Sequence, residues 1–153
     1  MSITAMLQQT ITRQARLLKQ FIAFLESETE ALGQAPDPAL LNQLSLRKKD
    51  FADRLADFDQ QRTEALLAAG SDDIEATLEV LCEHDAALRD AVARWRQLVR
   101  DARRINVRNG EILLALSRHN QKALQALQGQ PDGGLYTARG RLAPEGPVRG
   151  GSR

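Results

Sequence analysis

The sequence predicts an all-α fold, an antiparallel bundle of long, coiled-coil-like helices with a flexible C-terminal tail. Composition is the first reason, because 23 leucines and 22 alanines stand against 5 valines and 6 isoleucines. Leucine and alanine favour helices, whereas β-branched residues favour strands. Apolar periodicity is the second reason, because apolar residues recur at steps of three and four along most of residues 1–128. The scarcity of glycine is the third reason, since only Gly33, Gly70 and Gly110 lie in that stretch.

The first two helices are separated by a clear stop signal. The first is predicted over residues 3–32 and ends at Gly33, after which Pro36 and Pro38 prevent continuation. Asp37 is predicted to cap the second helix, residues 38–69, with Pro38 tolerated in its first turn. Lys48 and Arg62 take the two polar places on an otherwise apolar stripe of the second helix, which contains Leu41, Leu44, Phe51, Leu55, Phe58 and Leu66.

A short third helix is predicted over residues 72–82, capped by Ser71 or Asp72, with Asp72 and Glu75 as a capping box. The apolar spacing lapses at 82–85, so a break is expected there. The last helix, residues 85–128, keeps a coiled-coil register from Leu88 to Leu127 and is expected to be ~65 Å long. Asn-Gly usually marks a turn. The register continues in phase through Asn109-Gly110, which predicts an unbroken helix.

The remaining residues, 129–153, differ in composition. They hold seven of the ten glycines, three of the five prolines and four arginines. Such a segment buries too little apolar surface to offset the entropy of ordering it. The sequence therefore predicts one helical bundle domain, 1–128, followed by a disordered Gly/Pro/Arg-rich tail, 129–153.

Several classes of function are disfavoured by simple observations. Lys and Arg number 21 against 20 Asp and Glu, so no overall field attracts nucleic acid or an anionic membrane. A single cysteine forms no intramolecular disulfide. The absence of a secretory signal and of a run of ~18 apolar residues predicts a cytoplasmic protein without stable membrane insertion. Cys82 and His84 lie ~200° apart on a helix, which argues against a metal site. We expect no enzyme activity, no metal and no cofactor.

A basic run on the last helix has three interpretations. Six arginines, from Arg94 to Arg108, face only Asp101 over 15 residues. They are interpreted as a solvated or ion-paired face, as a surface for a protein partner, or as a nucleic-acid-binding module. The single aromatic of the run, Trp95, falls in the apolar register, and this disfavours nucleic acid.

The C-terminal half of the last helix is the candidate binding surface. It is longer than a compact domain of this size needs, so its end is expected to project and to pair with another helix. The predicted client-binding residues are Asn106, Asn109, Gly110, Leu113, Leu116, Asn120, Ala123, Leu124 and Leu127. A self-associating coiled coil, with a weak homodimer, is the alternative.

Two motifs in this region resemble those of a known family. The helix contains Asn106-x-x-Asn109-Gly110, and after a short polar gap the tail contains Leu135-Tyr136-Thr-Ala-Arg139-Gly140. Together they resemble the C-terminal half of the FlgN flagellar export chaperones. Further similar positions over residues 10–140 are Glu26, Glu28, Glu30, Lys48 and Lys49. Thr137 stands where an Asp is commoner, so no carboxylate role is carried over.

The resemblance implies a cytoplasmic export chaperone without catalytic activity. Its partners would be the hook–filament junction proteins FlgK and FlgL, whose terminal helical segments it holds, and the flagellar export apparatus. Docking to that apparatus or to the bundle is expected from the tail residues Leu135, Tyr136, Arg139 and Gly140. Removing residues 113–153 is expected to abolish client binding.

Overall fold

The computed structural model describes residues 1–70 and 72–128, and within them the chain forms four helices and no strand. They are α1 (Ile3–Leu32), α2 (Pro38–Ala68), α3 (Ile74–His84) and α4 (Ala86–Gln128). The predicted all-α bundle is confirmed. The segment predicted to be a tail, 129–153, lies outside the described residues.

Each helix begins where a short oxygen-bearing side chain accepts a hydrogen bond from a backbone N–H three residues later, which satisfies one of the free donors of the first turn. Ser71 or Asp72 was expected to cap α3, and this expectation is corrected. Asp73 is the cap because its backbone is extended while its carboxylate accepts from Ala76 N. The four caps and their donors are Ser2 with Ala5 N at 3.1 Å, Asp37 with Leu40 N at 2.8 Å, Asp73 with Ala76 N at 3.1 Å, and Asp85 with Leu88 N at 3.0 Å.

Helix α1 is the shared packing partner of the two other long helices. Helix α1 runs antiparallel to α2 and parallel to α4. The chain returns along α2 to the level at which α1 begins, and the short α3 ends there. Helix α4 starts from that end of the bundle and therefore runs in the same direction as α1. The sense is evident from the core. Leu7 packs in one cluster with Leu88, whereas Leu32 packs with Leu113. Helix α2 therefore begins where α1 ends, and α4 begins where α1 begins.

Three apolar clusters follow one another along α1. The base cluster joins all four helices around Leu7, Ile11, Leu66, Leu78 and Leu88, each at most 1% exposed. The middle cluster contains a group of three rings in which Phe51 of α2 lies 5.2 Å from Phe21 and 5.5 Å from Phe24, measured between ring centroids. The top cluster is small and consists of Leu32 and Leu113, with Leu41, Ile112 and Leu116 against it. The core therefore thins toward the end at which α4 projects.

The two connections at the ends of α2 place one residue each at a positive φ angle. The α1–α2 loop has Ala35 at φ 50°, directly before Pro36, and the α2–α3 turn has Gly70 at φ 102°. Gly33, by contrast, caps α1 with φ −75°. Among the glycines of residues 1–128, therefore, Gly70 is the one that uses the conformational freedom particular to glycine.

Candidate functional site

A buried polar junction joins α1, α2 and α4 near the top of the bundle. We define it as Glu28, Thr29, Lys48 and Asn109. The amide nitrogen of Asn109 donates to Leu25 O and to Glu28 Oε1, both at 2.9 Å, and its oxygen accepts from Thr29 Oγ1 at 2.7 Å. Lys48 Nζ donates to the same Glu28 oxygen at 2.8 Å. Asn109 is fully buried and Glu28 is 2% exposed, so the junction belongs to the interior of the fold.

The apolar face of α4 continues past the end of α1. Leu113, 3% exposed, packs against Leu32, the last residue of α1. Beyond Leu113, α4 has 15 more residues up to Gln128, about 22 Å of helix at ~1.5 Å per residue. We call the continuation of the stripe the upper seam, and Leu127 near its end is 84% exposed. The upper seam consists of Leu116, Asn120, Ala123, Leu124 and Leu127.

The structure divides the predicted client-binding residues into two groups. Asn109 and Leu113 are buried against α1, and Gly110 is partly buried inside an unbroken helix. Asn106, Asn120, Ala123 and Leu127 are exposed, and Leu116 and Leu124 are partly exposed. The predicted tail residues Leu135, Tyr136, Arg139 and Gly140 lie outside the described residues. The accessible part of the predicted surface is therefore the upper seam, with Asn106 apart from it.

Asn106 lies instead in a groove between α2 and α4, which we call the α2–α4 groove. Its volume is about 510 Å³. Apolar side chains of all three long helices line it, and four arginines stand at its sides. The lining residues are Gln14, Leu18, Phe21, Leu55, Asp59, Arg62, Glu75, Trp95, Arg96, Val99, Arg100, Ala102, Arg103 and Asn106.

At the lower end of the groove, Arg62 links α2 to both neighbours. Its guanidinium lies 4.4 Å from the centroid of the Trp95 ring, a cation–π contact, and its Nη1 donates to Gln14 Oε1 at 2.8 Å and to Asp59 Oδ1 at 2.9 Å. Arg96 of α4 pairs with Glu79 at 3.0 Å and with Glu75 at 3.4 Å on α3. Each of the two carboxylates in the groove, Asp59 and Glu75, is therefore already paired with an arginine of the same chain.

Sequence reasoning did not place Arg62 or Trp95 in a site, and it considered Arg100 and Arg103 only as part of the basic run, for which a protein-partner surface was one of three interpretations. The signal that points to part of this arrangement was the place of Lys48 and Arg62 on the stripe of α2. A cation at a core-facing position needs a polar or aromatic partner on the facing helix. Both cations have one on α1 or α4, namely Glu28 for Lys48 and Gln14 with Trp95 for Arg62.

Comparison with known proteins decides the family. The family model described as FlgN protein matches residues 1–144. The chain belongs to the FlgN family. No curated protein and no solved structure matched it significantly. This FlgN-family protein is a flagellar export chaperone, which agrees with the resemblance carried by Asn106, Asn109 and Gly110.

Residues 1–70 and 72–128 contain no group of three His, Cys, Asp or Glu side chains suited to a metal ion. Burial, together with the nearby Glu79 carboxylate, raises the pKa of the Cys82 thiol above its ordinary value. Cys82 is therefore a protonated, unreactive core residue near neutral pH. In the same part of the chain, no helix combines the length and the apolar character needed to cross a bilayer.

Proposed function

We propose that this FlgN-family protein acts in the cytoplasm on hook–filament junction proteins of the FlgK and FlgL type. The upper seam holds a terminal helical segment of the client, and the chaperone then delivers it to the export gate. The observation that carries this proposal is that the α4 face which packs on α1 continues, with its leucines, past Leu32. A client helix laid along it takes the place that α1 occupies lower down.

Charge favours a client over a second copy of the chain. Residues 117–128 contain Arg118 and Lys122 and no carboxylate. Pairing two upper seams would bring these cations close together, which opposes association. The upper seam is also short. Burying its leucines yields a few kcal/mol, part of which is lost in ordering the client, so we expect a reversible affinity on the order of micromolar.

The proposal predicts that placing charge on the upper seam abolishes client capture. The full chain carrying Leu124→Glu and Leu127→Glu should lose at least about tenfold in affinity for a purified FlgK- or FlgL-type client, because carboxylates cannot be buried in the apolar contact. Isothermal titration calorimetry measures the affinity. The matched control is Leu46→Glu with Leu67→Glu, two α2 leucines that are 62% and 48% exposed.

Unchanged client affinity in the Leu124 and Leu127 double variant would place the client elsewhere. Sedimentation of the client-free protein tests the coiled-coil alternative, and a tight dimer that the double variant dissociates would favour it. We propose that the tail docks to the gate through Tyr136, because this residue is the single large aromatic of an otherwise weakly apolar segment. A Tyr136→Ala variant should keep client affinity and lose co-purification with the export apparatus.

A further inference from the structure

The α2–α4 groove has the dimensions of a short helix. Its α4 wall runs from Trp95 to Asn106, about 17 Å, which corresponds to roughly three helical turns. Its volume is about 510 Å³. Leu18 and Phe21 of α1, Leu55 of α2 and Val99 of α4 give it apolar lining. The three long helices therefore form an open cleft along which one face of a further helix can lie.

The charge of the groove is not balanced by its own residues. Asp59 pairs with Arg62, and Glu75 pairs with Arg96. Within the part of the chain that the structure describes, Arg100 bonds only the Gln97 amide oxygen, at 2.9 Å, and Arg103 has no ion pair. These two guanidinium groups lie one helical turn apart on α4. They match carboxylates spaced by three or four residues on a facing helix.

Trp95, which lines the groove, has a buried donor without an acceptor. Its indole Nε1–H is buried and, among the described residues, has no hydrogen-bond partner. A buried unpaired donor typically costs ~1–3 kcal/mol. Trp95 is also the only tryptophan of the chain. Its fluorescence therefore reports on the surroundings of the groove, including the base and middle clusters against which Trp95 packs.

We propose that the α2–α4 groove is a second docking surface and that its occupant is an amphipathic helix of a partner protein, with Asp or Glu flanking its apolar ridge. Charge disfavours the tail of the same chain, because residues 129–153 carry four arginines against Asp132 and Glu145. Nucleic acid is disfavoured because Arg62 already covers the Trp95 ring on which a base would stack. The surface is distinct from the upper seam.

The test uses the full chain and two synthetic helical peptides of about four turns without aromatic residues. One peptide carries a leucine ridge flanked by Glu, and the other has Gln in place of each Glu. Trp95 emission and calorimetry measure their affinities. We expect the Glu peptide to bind about tenfold more tightly than the Gln peptide, because only its carboxylates pair with Arg100 and Arg103.

The matched variants change the same charge on the same helix. The double variant Arg100→Glu with Arg103→Glu should bind the Glu peptide with an affinity at least about tenfold lower than that of the unmodified chain. Arg94 and Arg104 are exposed and lie outside the groove. The control variant Arg94→Glu with Arg104→Glu should therefore change the affinity for the Glu peptide by less than about threefold. Equal affinity for the two peptides, or no effect of the groove variant, overturns the proposal.

The same titration tests other possible occupants of the groove. A synthetic peptide of residues 129–153, or an RNA oligonucleotide, that shifts Trp95 emission at lower concentration than the Glu peptide would also overturn it. A sedimentation change confined to the Arg100 and Arg103 variant would indicate a second copy instead. The Leu124 and Leu127 double variant should bind the Glu peptide normally, so failure of this inference is distinguishable from failure of the proposed function.

Discussion

At the scale of single residues, Asn109 fixes how α1 and α4 align. Its side chain makes hydrogen bonds to three residues of α1, and all of them are lost if either helix slides by one turn. A polar residue in an otherwise apolar seam commonly specifies register in this way. Asn109 also donates a hydrogen bond to the Glu28 carboxylate, which is buried and therefore cannot form one with water instead.

The residue prediction is that Asn109→Ala destabilises the protein by about 2–3 kcal/mol, because it removes these bonds and leaves Glu28 with one donor fewer inside the fold. Urea unfolding followed by circular dichroism measures the change. Asn120→Ala, at an exposed position of the same helix, is the control and should change stability by less than about 0.5 kcal/mol. Equal stability of the two variants would contradict the role assigned to the junction.

The sequence showed which residues lie on the core-facing stripe of α4. It could not show which side chains of the other helices contact them. Asn106, Asn109 and Asn120 occupy equivalent places in the register of α4. Asn109 is buried because Glu28 and Thr29 face it, whereas Asn106 lies over a groove and Asn120 lies beyond α1. Those partners are about 80 residues away in sequence. A single sequence carries no signal for that pairing.

At the scale of elements, the turn at the end of α2 depends on Gly70. Its φ of 102° is rarely adopted by residues with a side chain, although nothing lies within 4 Å of where a Cβ would stand. Gly70→Ala should therefore destabilise by about 1–2 kcal/mol through backbone strain alone. Thermal unfolding measures it. Gly33→Ala, at φ −75°, is the control and should be close to neutral. Equal melting temperatures of the two variants would contradict this account.

The elements themselves were predictable because caps and stops are local chemistry. Asp37, Pro38 and Gly33 act within one helical turn, so the first connection could be read directly from the sequence. Asp72 and Asp73 are adjacent and equally suited to capping, so the start of α3 was placed too early. The parallel sense of α1 and α4 could not be deduced from apolar spacing, because a stripe looks the same whichever way its partner runs.

At the scale of the whole molecule, the three core clusters formed by the described residues, 1–70 and 72–128, contain no residue after Leu116. The composition of residues 129–153 predicts little burial of apolar surface, so removing them should leave the melting temperature within about 4 °C of the full chain. Calorimetry or circular dichroism checks this. A fall of about 10 °C would mean that the tail packs on the bundle.

The control is a shorter chain ending at residue 112. It removes Leu113 from the top cluster, so it should be less stable by about 2–5 kcal/mol. That loss also bears on function, because a chain cut there would fail to bind clients for reasons of folding. Substitutions on the upper seam are the cleaner test of the binding site.

The long separation between α1 and its partner has a consequence for synthesis on the ribosome. Asn109 is added 81 residues after Glu28. At ~5–20 residues per second, translation takes roughly 4–16 s to cover that distance. The α1–α2 hairpin is complete once Ala68 has been added, and the remaining 41 residues up to Asn109 take roughly 2–8 s. During that time the nascent hairpin exposes an unpaired apolar flank, the same kind of surface that the finished protein is proposed to cover on its clients. While it is being made, the chaperone is thus open to the misassociation that its clients face.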